Sequence, residues 1–261
     1  MNQPDKASPR VLLFDIETAP NLAFVWGKYE QDVIAYKSEW YMMCFAYKWL
    51  GERSTHVQAL PDFKAYKSEP ENDYELCKAL RALFDEADIV IAHNGDRFDN
   101  KKSNARFVYH RLPPPSPYQT IDTRKIAKRY FMFNSNKLDD LGENLQLGRK
   151  LQTGGFALWQ GCMKGDNKSW EKMKRYNKQD VALLEKVYLK LRPWVTNHPA
   201  YNVMIRRPEA CPKCGSPRMN ACMKYKTTAG NIYRYFRCKE CSGMARLRVP
   251  EERVKPRYVN A

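Results

Sequence analysis

Asp15 and Glu17 close the apolar run Val11–Thr18, VLLFDIET, and their spacing is the first sign of chemistry in the chain. Four apolar residues in a row read as a strand buried on both faces, and a side-chain period of two sends both acids to one face. At a rise of about 3.3 Å per residue their backbones lie roughly 6.6 Å apart, within reach of one hard cation. Two anions at the end of a buried strand repel each other and are costly to desolvate, and a divalent metal ion offsets both penalties. For an isolated D-x-E pair a solvated strand end is the plainer account, so the remaining carboxylates decide the matter.

Two other segments carry acids that can reach the same place. Ile89–Ala92, IVIA, reads as a second fully buried strand and runs into His93-Asn94-Gly95-Asp96-Arg97-Phe98-Asp99, which leaves Asp96 and Asp99 as alternatives. Trp170–Leu191 is the longest helical pattern, closed by Pro193, and contains Tyr176-Asn177-Lys178-Gln179-Asp180. Tyr176 and Asp180 are one turn apart on a face that Leu184, Val187 and Leu191 continue toward the core, which argues against a merely solvated Asp180. Asp15, Glu17, Asp99 and Asp180 would together suit two Mg²⁺ or Mn²⁺ ions about 3.5–4 Å apart, the arrangement that hydrolyses phosphodiesters. Hard ions take oxygen ligands, so no histidine pair is needed.

A second metal site is spelled out in cysteine. Cys211-Pro-Lys-Cys214 and Cys238-Lys-Glu-Cys241 are two C-x2-C knuckles whose spacing suits one tetrahedral Zn²⁺, with a strand hairpin between them. A unit this small lacks a sufficient core, so the metal is expected to supply its stability. Cys222 breaks the spacing and reads as a free thiol; Cys44, Cys77 and Cys162 are scattered and read as buried thiols. Between the knuckles lie Lys224, Tyr225, Lys226, Tyr233, Arg234, Tyr235, Phe236 and Arg237. Such a mixture can stack on bases and meet phosphates of a single strand, or its aromatics can form the ribbon's own small core; a mixed role is expected.

The elements that must position these groups follow from periodicity. Trp40–Leu50 and Thr55–Leu60 are β-prone and joined at Gly51-Glu52, so with the first strand they form a three-stranded meander. Ala19–Gln31, with Pro20, reads as a loop carrying Trp26 and Tyr29 past the acids. Asp73–Glu86 has the spacing of an amphipathic helix, with Asn72 as a cap, and its place between strands makes a crossover to a parallel neighbour. Asn104–Leu112 reads as a helix stopped by three prolines, Tyr118–Asp122 as a fifth strand, Thr123–Phe131 as a basic helix and Asn136–Leu147 as a short helix, while Leu151–Gly165 is less regular. The expected organisation is a disordered lead-in over 1–9, an α/β domain over 10–198, a linker over 199–208, a cysteine unit over 209–250 and a basic tail over 251–261.

In order, FDIET, HNGDRFD and YNKQD resemble the three exonuclease motifs of the DEDD superfamily. The resemblance spans about residues 10–195 and implies a ribonuclease-H-like fold, here a mixed five-stranded sheet flanked by helices. The final Tyr-x3-Asp is similar to the DEDDy branch that includes polymerase proofreading domains. LQTGGFALW and the terminal cysteine unit make the chain resemble DnaQ-like exonucleases of bacteriophages. The resemblance implies 3′→5′ exonuclease activity, single-stranded DNA as the favoured substrate with RNA as the alternative, and a DNA polymerase or other replication protein as a partner. Carried over by position, Asp15 bridges both ions, Glu17 and Asp180 complete the site of the attacking water, Asp99 supports the second ion and the Tyr176 hydroxyl orients the water. Phe98-Asp99 matches the motif's aromatic-Asp pair, which makes Asp96 a loop residue. The DEDDh branch has histidine where this chain has Arg175, so His93 is expected to be structural, and Asp122 a polar strand end.

The bulk properties agree with a nucleic-acid partner. A formal charge of +16 over 261 residues exceeds what solubility needs and points to a polyanion. Nucleic acid is the first candidate and an acidic membrane surface the second, the latter weakened by the lack of a basic amphipathic helix with a clean apolar face. The excess gathers toward the end, where only Glu209, Glu240, Glu251 and Glu252 oppose the cations from Arg206 to Arg257. No signal-like or spanning apolar run is seen, so an intracellular protein is expected, in the cytoplasm of a bacterial host if phage-encoded. The competing class is a non-catalytic nucleic-acid-binding or polymerase-docking module that retains the fold.

Overall fold

Along the chain, β1 (Val11–Thr18) is followed by β2 (Leu22–Phe24), β3 (Ala35–Ser38), β4 (Met42–Trp49) and β5 (His56–Ala59). Helix α1 (Tyr74–Glu86) then leads to β6 (Ile89–Ala92), and α2 (Asp99–Tyr109) to β7 (Gln119–Asp122). Helices α3 (Thr123–Tyr130), α4 (Leu138–Asn144), α5 (Ala157–Met163) and α6 (Asn167–Leu191) complete the part that bears the acids. These coordinates are a computed structural model that describes residues 8–29, 32–228, 230–255 and 257, with 223–228 described as backbone only. Residues 1–7 of the expected lead-in, and 256 and 258–261 of the expected tail, lie outside the described residues.

The sheet has the order β5-β4-β1-β6-β7, with β5, β4 and β1 antiparallel and β1, β6 and β7 parallel. This is the mixed five-stranded, ribonuclease-H-like arrangement expected from the meander followed by crossovers. β1 sits at its centre with Leu12, Leu13 and Phe14 fully buried, because a strand covered on both faces tolerates an unbroken apolar run. Helix α1 buries Leu76, Cys77, Leu80 and Phe84 along one stripe. The Phe84 ring meets Phe14 edge-on at 4.9 Å and also packs against Phe107 and Tyr118, so one aromatic ties the helix layer to the central strand.

One buried charge cluster fixes the layers. Asp73, fully buried just before α1, accepts from the Met42 N–H at 2.7 Å and from Arg106 Nε at 2.8 Å, and it also receives Arg106 Nη2 and His110 Nε2. Against the cost of burial, those donors hold the Asp73 carboxyl below its ordinary range. The bonds link β4, the start of α1 and α2.

Three segments differ from the sequence expectation. The stretch read as a loop over Ala19–Gln31 contains β2, which pairs antiparallel with β3; strands of three and four residues carry too little alternation to be legible. Helix α2 begins at Asp99 rather than Asn104, since Phe98 Cα already leads into a turn closed by Lys102 N–H to Phe98 O at 2.8 Å. Part of the irregular stretch Leu151–Gly165 is the helix α5.

The chain divides into two compact units, Arg10–Val187 and a second that takes in Tyr188–Ala261. The second contains a short helix, α7 (Tyr201–Met204), within the stretch read as a linker, and β8 (Met219–Thr228), β9 (Asn231–Cys238), β10 (Met244–Arg246) and β11 (Glu252–Arg253). β9 pairs antiparallel with all three other strands. Among the described residues no helix is long and apolar enough to cross a membrane.

Candidate active site

The Asp15, Glu17 and Asp180 carboxylates lie within 4.8 Å of one another. β1 supplies the first two from one face near its C-terminal end, where the pairing with β4 shifts register between Glu17 and Thr18. Asp180 comes from α6 and is fully buried. Asp99 reaches the same strand from the first turn of α2: its Oδ1 accepts the Ile16 N–H, the backbone group between the two β1 acids, at 3.2 Å. The turn before it demands glycine, since a Cβ on Gly95 would stand 2.4 Å from Ala92 Cβ.

Burial acts on every acid of the cluster, and repulsion from its other members is added at Asp15 and Glu17. Asp15 is raised well above the usual carboxylate range by burial, then by Asp99, Asp180 and Glu17. Burial and Asp180 push Glu17 up to about 8, and burial pushes Asp99 up to about 7. Four carboxylates so destabilised as anions form a site that gains by taking up positive charge. Asp180 Oδ1 is buried without a hydrogen-bond partner, as an oxygen kept for a cation would be. The all-oxygen donor set fits Mg²⁺ or Mn²⁺.

Two residues at the site were not singled out from sequence. Lys150 Nζ donates to Asp180 Oδ2 at 2.5 Å and to the Tyr176 hydroxyl at 3.2 Å. Although burial opposes it, the charges of Asp180 and Asp15 hold Lys150 above its ordinary range. Its loop is pinned from both sides: Asp139 accepts the Lys150 N–H at 2.7 Å, and Gln179 on α6 donates to Arg149 O at 2.6 Å. A lone lysine in a loop has no sequence signature. Asn177, fully buried, donates from Nδ2 to Asp15 Oδ2 at 2.7 Å and to Asp15 O at 3.2 Å, and accepts from Cys44 Sγ at 3.6 Å. It stood inside the YNKQD stretch, and its place on the core-directed side of the helix was the available signal.

Tyr176 shares the Lys150 ammonium with Asp180 and presents its ring edge-on to Trp159 at 6.2 Å. Burial and the Asp180 charge raise its hydroxyl further above its ordinary range, so it stays protonated near neutrality. Asp96 pairs instead with Lys125 at 2.7 Å, away from the cluster. Asp122 caps α3, accepting from the Arg124 and Lys125 N–H groups as well as from Asn94 N–H. His93 bridges Thr123 Oγ1 and Asn136 O, a structural bond pair. Beside the acids opens a cavity of about 630 Å³ lined by Thr18, Asn21, Trp40, Lys102, Phe156 and Trp159, among others, with Lys102 Nζ 3.5 Å above the Trp40 ring.

In the second unit the four thiols of Cys211, Cys214, Cys238 and Cys241 also lie within 4.8 Å of one another, and Cys222 is not among them. The Glu240 and Gly243 N–H groups donate to Cys238 and Cys241 Sγ at 3.4 Å each, the bonding that steadies zinc-held thiolates. Of the expected nucleic-acid contacts, Arg234 pairs with Glu251 at 2.6 Å, Tyr233 lies under Arg246, Tyr235 lines a cavity with Trp194, Lys213 and Arg246, and Arg237 is exposed. The side chains of Lys224, Tyr225 and Lys226 lie outside the described residues.

A family model described as RNase_H superfamily matches residues 12–192. Among solved structures, a family B DNA polymerase from the hyperthermophilic archaeon Pyrobaculum calidifontis is similar with a TM-score of 0.53 and 15% identity, covering 88% of this chain. The chain spans 33% of that polymerase's length, and at this identity the likeness is one of fold. No curated protein matches.

Proposed function

The chain belongs to the RNase_H superfamily, and from that premise we propose that it is a metal-dependent 3′→5′ exonuclease of the DEDDy type, acting by preference on single-stranded DNA. What carries the reading is the convergence of Asp15, Glu17 and Asp180 within 4.8 Å, with Asp99 bonded to the backbone between the first two. Nuclease-type function accords with the family; polarity and substrate are this proposal's own.

Asp15, Glu17, Asp99 and Asp180 would hold two Mg²⁺ or Mn²⁺ ions. When bound, such ions activate water for attack and offset negative charge on the leaving oxygen. Asn177 orients the Asp15 carboxylate for that task by donating to its Oδ2. Tyr176, kept protonated, positions the attacking water by hydrogen bonding rather than taking its proton. Lys150 holds Tyr176 and Asp180 in one geometry and contributes positive charge beside the phosphate. The cavity walled by Trp40 and Trp159 takes the terminal nucleotide. The four cysteines hold one structural Zn²⁺, and the unit they brace grips substrate or docks a partner such as a polymerase. Residues 10–198 act as the nuclease domain, 199–208 as the linker, 209–250 as the ribbon and 251–261 as a basic tail. A bacteriophage origin would accord with that layout.

Asp15→Ala and Asp180→Ala are the test. With Mg²⁺ or Mn²⁺, each variant should lose at least about a thousandfold in hydrolysis of a labelled oligonucleotide, equivalent to several kcal/mol of transition-state stabilisation, while still binding it in chelator. Undiminished hydrolysis by both variants would show that the chemistry is elsewhere. Binding without hydrolysis by the parent, under any metal, would favour the non-catalytic docking module.

A further inference from the structure

The β2–β3 hairpin rises from the rim of the cavity that Thr18, the residue after Glu17, helps to line, and is apolar where a solvated hairpin should be polar. Its two ends are bolted beside the cavity: Ala19 N–H donates to Tyr41 O at 2.9 Å, and Trp40 N–H to Asn21 Oδ1 at 2.8 Å. Pro20, Asn21 and Trp40, which flank the hairpin, also line the cavity. Beyond that root every described residue of β2 is exposed, and Trp26 is 90% exposed. Scattered surface apolar residues need no explanation, but Phe24, Trp26, Val33, Ile34 and Tyr36 together on one protruding ribbon do. A two-stranded ribbon on its own is only marginally stable in water, so such a surface is kept for a ligand.

The register says what kind. Phe24 pairs with Ala35 and Tyr36 with the neighbouring Ala23, so the two rings stand on opposite faces of the ribbon, each across the ladder from a methyl, and the ribbon offers an aromatic on either side. The two residues are 59% and 52% exposed. Lys28 lies over the Tyr29 ring at 5.4 Å, Lys37 follows Tyr36, and Lys102 stands at the root over Trp40. Open aromatic faces interleaved with cations and continuous with the cavity match a single nucleic-acid strand, whose bases stack and whose phosphates need countercharge. We propose that this hairpin is a stacking platform for the substrate strand several nucleotides from its reacting end, with Trp26 as the principal ring. The proposal rests on the nuclease reading above for its substrate, but its test does not depend on cleavage.

The full chain and its Trp26→Ala and Trp26→Phe variants are compared for binding of fluorescein-labelled oligothymidylate of about 20 nucleotides, in chelator, by anisotropy. Loss of one stacked base predicts roughly tenfold weaker binding by Trp26→Ala, with Trp26→Phe retaining most of the affinity. In Mn²⁺, the ratio of kcat/KM on the long oligonucleotide to that on a dinucleotide should fall about as far, because the dinucleotide cannot reach the hairpin. Equal binding by parent and Trp26→Ala overturns the proposal. So does a change of sedimentation from dimer to monomer in Trp26→Ala without loss of oligonucleotide affinity, which would make the ribbon a contact between copies. If the parent cleaves neither substrate, the nuclease reading fails while the anisotropy comparison still decides the hairpin. With Trp26 so exposed, an unchanged melting temperature is the check that both variants fold.

Discussion

Lys150 is the residue on which the acidic cluster balances. It is the nearest cation to Asp180, and it joins that acid to Tyr176 across a loop that contributes nothing else to the cluster. Lys150→Ala is expected to lower kcat by about a hundredfold, the cost of one preorganised charged donor, with partial rescue by Lys150→Arg. Full activity in the alanine variant would confine Lys150 to a structural pairing with Asp180. His93 plays a different part. Burial pushes it down to about 4, so between that value and its ordinary 6.5 the unfolded chain binds a proton that the folded chain refuses. Its contribution to stability is therefore complete above 6.5 and is lost as the pH falls through that window. His93→Asn should flatten the slope of unfolding free energy against pH there by about one proton, measured by urea titration at several pH values. An unaltered slope would mean that His93 is accessible to protons in the folded protein.

At the scale of elements, the sequence was plain where one physical signal dominated. The apolar runs of β1 and β6 and the stripe of α1 announced a buried sheet with a crossover, because burial on both faces or on one face leaves a period in the residues. D-x-E on a strand and Tyr-x3-Asp on a helix likewise fix relative direction within one element. What periodicity could not carry was the meeting of elements. Lys150 and Asn177 act through tertiary neighbours, and Asp99 was expected on a turn although it opens α2. Asp73 was just as silent: an acid beside a helix start reads as a surface cap, yet it is the buried centre of bonds from β4 and α2. Asp73→Ala leaves the Arg106 guanidinium buried and uncompensated, so it should cost about 3–5 kcal/mol in urea denaturation, whereas loss of an exposed pair would cost under about 1 kcal/mol. A cost at the lower figure would show that water reaches the cluster.

For the whole molecule, a charge of +16 and a superfamily of nucleases point the same way, toward a polyanionic substrate handled at the acidic end of the sheet. Under the proposed function, the net positive charge draws in the strand and the four carboxylates make cleavage conditional on metal. The most direct measurement follows single-stranded DNA and RNA of one sequence, labelled at the 3′ or the 5′ end, with Mg²⁺, with Mn²⁺ and with chelator. The expected result is immediate loss of the 3′ label, a descending ladder from the 5′-labelled strand, faster digestion of DNA than of RNA, and no reaction in chelator. A ladder from the 3′-labelled strand with early release of the 5′ label, or digestion that persists in chelator, would contradict it.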